Sequence, residues 1–163
     1  MTEPSEQERR PDDLERELTL MSRHFIASRG PRIGQSLDRS AYVLLTRLET
    51  GEPLTLKELA HTFQADVSTI NRQVGTMLKH GLVERLDATT RGSARRFRPT
   101  PLGLERLEAD RAISRAGAAR LIEEAGWDGE RTQQFLTLVI EFNHGIEQLE
   151  GLAWAGSSRH PTS

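Results

Sequence analysis

Leu54–Arg85 reads LTLKELAHTFQADVSTINRQVGTMLKHGLVER, and a pair of helices joined by a tight turn can be read from it. Thr55 and Glu58 have the spacing of a capping box, in which the hydroxyl accepts from the N3 amide and the carboxylate reaches back to the N-cap amide. The helix they open points Leu56, Leu59, Ala60 and Phe63 inward. After the brief connection Gln64–Ala65, Asp66 is placed to cap a second helix. Gly81 ends that helix just after Lys79 and His80, as a glycine in the left-handed position does, so His80 reads as a helix C-terminal residue. This is the spacing of a helix-turn-helix.

The second helix has two faces. Val67, Ile70, Val74, Met77 and Leu78 form an apolar stripe. Thr69, Arg72, Gln73 and Thr76 recur at i, i+3, i+4 and i+7 on another side, flanked by Ser68 and Asn71. A helix face that is merely solvated usually mixes Glu and Lys. These hydrogen-bonding side chains of moderate length suit base edges and phosphates instead.

Past Gly81, Leu82–Ala88 and Arg95–Thr100 read as two strands, with the Gly-containing TTRGSA as the hairpin tip between them. Helix-turn-helix followed by a β hairpin is the order of a winged helix. The segment Asp66–Thr100 holds seven basic residues against three acidic ones, a balance of +4 in a chain of net charge −2. The remainder therefore carries about −6. Such polarisation marks the middle of the chain as a surface for a polyanion. Arginines on a hairpin at that place are suited to lie along a DNA backbone or enter a minor groove.

Working outward, Leu14, Leu18, Met21 and Phe25 make the stripe of a helix that starts at Asp12 and ends near SRGPR. A helix from Asp38 carries Ala41, Leu44, Leu45 and Leu48 on one side and stops at Gly51 and Pro53. Thr100 and Pro101 provide an N-cap and an N1 proline for a long helix through Leu104, Leu107, Ile113, Leu121 and Ile122. Trp127 and Gly129 bracket a break, and a last helix from about Asp128 aligns Phe135, Leu138, Val139, Phe142, Ile146, Leu149 and Leu152. These terminal stripes exceed what one small winged helix can cover, which points to a second copy of the chain; the alternative is that they fold back on the same core. Residues 1–11 and 156–163 are polar and are expected to be disordered tails.

The sequence resembles the MarR family of winged helix-turn-helix transcriptional regulators over roughly residues 12–153. The matching stretches are LDRSAYVLLTRL, the helix-turn-helix quoted above and TPLGLERLE after the wing. Ser68-Thr69-x-x-Arg72-Gln73-Val74, with Leu78 and Gly81-Leu82-Val83, is the most specific piece. The resemblance implies a mainly α fold with a small β wing. It divides the chain into an N-terminal dimerisation helix (12–36), a winged helix-turn-helix DNA-binding domain (37–100) and C-terminal helices completing the dimerisation region (101–155).

It also implies a homodimer that binds double-stranded DNA at a pseudo-palindromic operator, with half-sites roughly 34 Å apart. The implied DNA-binding residues are Ser68, Thr69, Asn71, Arg72, Gln73, Thr76, Arg91, Arg95 and Arg96. Many relatives are repressors released by a small-molecule effector, for which the pocket here would include His24, Phe25 and Tyr42. One family device is missing. Where the wing usually carries Asp-x-Arg this chain has Arg91, Gly92 and Ser93, and Pro99 replaces the expected Leu, so Asp87 is the nearest carboxylate that could orient an arginine.

Other classes are disfavoured. The longest apolar runs, such as Tyr42–Leu45, fall far short of the roughly 20 residues that span a bilayer, and no secretory signal is visible, so a cytoplasmic protein without membrane contact is expected. With no cysteine there is no disulfide, thiolate nucleophile or Cys-ligated zinc. The five histidines are scattered, and no Ser-His-Asp order or phosphate loop stands out. Glu141-x-x-His144 occurs once, whereas a di-iron bundle needs that motif on two helices. No enzyme, cofactor or metal centre is expected. The reading that competes with DNA binding is a winged helix serving only as a protein-interaction module.

Overall fold

Capping side chains set the helix starts. Asp38 accepts from Ala41 N at 2.8 Å, Thr100 from Gly103 N at 3.0 Å and Asp128 from Arg131 N at 2.8 Å. At Thr55 the full capping box forms: Glu58 N donates to Thr55 Oγ1 at 3.2 Å and Thr55 N to Glu58 Oε2 at 2.7 Å. The computed structural model describes residues 6–27, 34–86 and 94–151. In chain order these form α1 (Glu6–Ala27), α2 (Arg39–Glu49), β1 (Leu54–Thr55), α3 (Leu56–Thr62), α4 (Val67–Lys79), β2 (Val83–Leu86), β3 (Arg96–Pro99), α5 (Pro101–Glu124) and α6 (Gly129–Glu150).

The fold is mainly α, with one antiparallel sheet ordered β1-β3-β2. The two expected hairpin strands pair Val83 with Pro99 through Leu86 with Arg96. β1, which the sequence did not suggest, adds Leu54 opposite Phe97 and Thr55 opposite Arg96. Pro99 lies past the two residues that β1 pairs, so its missing amide costs the sheet no bond on that side. The hairpin tip, including Asp87 and Arg91, lies outside the described residues.

Three expectations need correction. α1 starts at Glu6, six residues before Asp12, and takes in half of the stretch expected as a tail. Residues 6–10 are all good helix formers, and Pro11, the sixth helical residue, costs the helix only the one bond its amide would have made to the Gln7 carbonyl. Asp66 occupies the N-cap of α4 but its side chain accepts nothing there. Its carbonyl already takes both Thr69 N and Ile70 N, at 3.0 and 3.1 Å. Finally, Val67 and Leu78 are exposed rather than buried, because both lie on the edge of the α4 stripe.

The core is aliphatic. Leu44 and Leu45 of α2, Leu59 of α3, and Ile70, Val74 and Met77 of α4 close on one another, sealed by Val83, Phe97 and Leu107 from the sheet and α5. α4 ends in a Schellman motif: Leu82 N donates to Met77 O at 2.9 Å and Gly81 N to Leu78 O at 3.1 Å, with Gly81 at φ 68°. The first turn of α5 presses on this cap. Thr100 N donates to Leu82 O at 3.1 Å, and a Cβ on Gly103 would sit 2.0 Å from that same carbonyl oxygen. Glycine is therefore required there.

α1 and α6 do not share this core. Leu14 and Met21 are exposed, as are Phe135, Leu138, Phe142 and Ile146, while Leu149 reaches 90% exposure. Among the described residues, these stripe positions are left uncovered by their own chain. Leu152 and the side chain of Phe25 lie outside the described residues.

Candidate nucleic-acid interface

The buried stripe of α4 fixes which way its other side points. With Ile70, Val74 and Met77 locked inward, Ser68, Asn71, Arg72 and Thr76 are exposed, and Thr69 and Gln73 are half-buried on one flank. Six of the residues singled out from the sequence are thus brought onto one helix. Thr76 Oγ1 donates to the Arg72 carbonyl at 3.2 Å, and the Arg72 side chain is exposed. Lys79 lies two turns beyond Arg72 on the same exposed face. The sequence reading omitted it, although the i, i+7 spacing would have found it.

The arginines of the hairpin differ from one another. Arg95 is exposed and, among the described residues, has no hydrogen-bond or ion-pair partner. Arg96 is held: its guanidinium donates to Glu58 Oε1 at 3.1 Å and to the Pro53 carbonyl. Glu58 therefore caps α3 and anchors β3 at once. The Thr55 amide first, and Arg96 in addition, hold the Glu58 carboxyl below its ordinary value despite partial desolvation. Arg98 is paired across the hairpin with Glu84, Nε to Oε1 at 2.6 Å. Arg91 lies outside the described residues.

A cleft of about 590 Å³ runs along the half-buried flank of α4. Arg72, Gln73, Thr76, Met77 and His80 form one wall, and Ser36–Asp38, Ser40, Ala41, Leu82, Leu102 and Arg106 the rest. Tyr42 does not line it; it packs against the core instead. The side chains of His24 and Phe25 lie outside the described residues.

The wall at residues 36–38 is fastened to α5 by Asp110, a carboxylate only 1% exposed. Asp110 accepts from Ser36 N at 2.9 Å and from Leu37 N at 2.8 Å, and Gln35 Nε2 reaches Ser114 Oγ at 3.1 Å. Nothing in the sequence reading pointed to Asp110. Its one signal was an acidic residue on the buried side of a helix, three positions after Leu107.

Two helices at a tight turn, a third behind them and a basic hairpin alongside define a winged helix-turn-helix protein. The sequence profile of the MarR family matches residues 37–90. The uncharacterized HTH-type transcriptional regulator YxaD of Bacillus subtilis (strain 168) is 31% identical over 132 residues, covering 80% of this chain and 90% of that protein. The chain belongs to the MarR family.

Among solved structures, a MarR family protein from Bacillus stearothermophilus superposes with a TM-score of 0.74 at 21% identity, covering 85% of this chain and 96% of that one. Staphylococcus aureus MarR in complex with salicylate and kanamycin gives 0.71 at 14% identity, covering 88% and 94%. At those identities the likeness is one of fold. The fold and the curated relative support a DNA-binding regulator rather than an enzyme. Among the described residues no helix is long and apolar enough to cross a membrane.

Proposed function

We propose that the chain is a cytoplasmic, homodimeric repressor that binds a pseudo-palindromic operator through α4 and releases it in response to a small molecule. The observation that carries the reading is the exposed face of α4, where Ser68, Asn71, Arg72 and Thr76 stand on a helix whose opposite face is locked into the core. Arg72 and Gln73, with Ser68 and Thr69 at the helix N-terminus, contact bases and phosphates in the major groove. Arg95 and Arg91 give the wing its charge toward the backbone, while Arg96, tied to Glu58, holds β3 in place.

Dimerisation is supported by the uncovered apolar faces of α1 and α6. An effector is supported by the cleft beside α4, and by the salicylate and kanamycin bound in the Staphylococcus aureus relative. The test is a gel-shift titration of the full chain against the DNA upstream of its own coding region. A retarded dimer complex that survives excess nonspecific DNA is expected, with affinity falling steeply as salt rises. A dimer showing no salt-sensitive DNA binding would instead make it a protein-interaction module.

A further inference from the structure

Residues 34–37 lead into α2, and all four meet α5. Gly34, at φ 88°, lies where an added Cβ would touch Ile113 Cδ1 at 3.5 Å. Gln35 Nε2 donates to the Asp110 carbonyl at 3.3 Å and to Ser114 Oγ at 3.1 Å. The Asp110 carboxylate takes the Ser36 amide on Oδ1 at 2.9 Å and the Leu37 amide on Oδ2 at 2.8 Å, with Ser36 Oγ 3.4 Å from Oδ1. The next residue, Arg111, grips the far end of α2 through both oxygens of Glu49, at 3.2 and 2.7 Å.

Asp110 is also the last buried residue of α5, and none from Arg111 to Glu124 is buried. It stands where α5 leaves the helix-turn-helix core for α6, and where the chain following α1 comes in through residues 34–37. Both links between the winged helix and the terminal helices thus pass this point, and Asp110 bonds one to the other. An apolar side chain would fill the place without burying a charge, but apolar contact is non-directional and lets two segments slide. A buried carboxylate is costly unless it is fully hydrogen-bonded, so the two amides must be held in one position.

We infer that Asp110 is a positioning residue for DNA recognition: it sets the angle of the winged helix against the terminal helices and so, in a dimer, the separation of the two α4 helices. This role rests on the dimeric operator reading proposed above. A fixed separation makes binding intolerant of half-site spacing, because each added base pair moves a half-site by about 3.4 Å and turns it by roughly 35°. Loosening the junction relaxes that intolerance, which a plain loss of fold stability does not do.

The experiment measures operator Kd by fluorescence anisotropy for the full-length dimer, on the native operator and on versions with one base pair added or removed between the half-sites. The spacing penalty is the ratio of the altered Kd to the native one. The parent is expected to show a penalty of at least about tenfold, and Asp110→Asn, in which one amide loses its acceptor, a penalty at least about five times smaller, the low end of couplings between sites. Gln35→Ala, which spares the buried carboxylate, should shift the penalty in the same direction by less. Val83→Ala, a cavity in the sheet at a residue 2% exposed, should keep the penalty of the parent. With operator binding intact, a parent without a spacing penalty, an unchanged penalty in a folded Asp110→Asn dimer, or an equal relaxation in Val83→Ala would each overturn the inference. If Asp110→Asn does not fold, an unchanged penalty in Gln35→Ala does so. Failure of the parent to bind any upstream DNA would instead overturn the functional reading beneath it.

Discussion

Gln64 turns the chain from α3 toward α4 with φ of 46°, a left-handed conformation in a residue that carries a Cβ. Its amide and that of Ala65 close a Schellman cap on α3, donating to His61 O at 3.2 Å and Ala60 O at 3.0 Å. The position asks for glycine on conformational grounds. Gln64→Gly is therefore expected to stabilise the protein by about 0.5–1 kcal/mol, raising Tm by roughly 1–4 °C. Thermal unfolding followed by circular dichroism checks it, and an unchanged or lower Tm would contradict the strain argument.

Glu58 makes a pH-dependent contribution of known sign. Its carboxyl titrates below the ordinary value of 4.5 in the folded chain, so its stabilisation is present above that value and is lost as pH falls through the lower, folded pKa. Because the side chain is 44% exposed, solvent screening keeps the contribution under about 1 kcal/mol. Glu58→Gln should lower Tm at neutral pH and match the parent once pH has fallen below the folded pKa. A constant difference at every pH would show that the carboxylate charge contributes nothing.

At the scale of elements, local rules made much of the fold legible and long-range ones did not. The caps at Thr55 and Thr100, the glycine stop at Gly81, the apolar stripe of α4 and the β2–β3 hairpin each depend on neighbours in sequence. β1 was illegible because two residues carry no alternation, and its partner strand lies more than forty positions away. The commitment of Arg96 to Glu58 and the burial of Asp110 were hidden for the same reason. Most of the exposed polar face of α4 could be read from spacing alone, whereas the cleft beside it depends on α2, α4 and α5 converging.

Asp110 is where that convergence is held. Removing its carboxylate leaves the Ser36 and Leu37 amides without their acceptor inside the protein, so Asp110→Ala should cost about 2–4 kcal/mol. Chemical denaturation measures this, and a loss below about 0.5 kcal/mol, the range usual for surface changes, would contradict the assigned role.

At the scale of the whole molecule, one chain builds a core around the helix-turn-helix and leaves the apolar faces of two terminal helices to something else. If a second copy covers them, introducing a charge there must separate the protomers. Phe142→Glu is expected to turn a dimer into a monomer in sedimentation velocity while the winged helix keeps its fold. Such a monomer reaches one half-site only and should lose most of its operator affinity. An unchanged dimer would place the interface elsewhere.

Specific and nonspecific DNA affinities of Arg72→Ala and Arg95→Ala, measured side by side across a salt series, test the central claim most directly. If α4 reads sequence and the hairpin supplies charge, Arg72→Ala abolishes the preference for operator over random DNA. Arg95→Ala then weakens both about equally and lowers the salt slope by roughly one for each wing that loses a phosphate contact. Retention of full operator preference by Arg72→Ala would contradict the account.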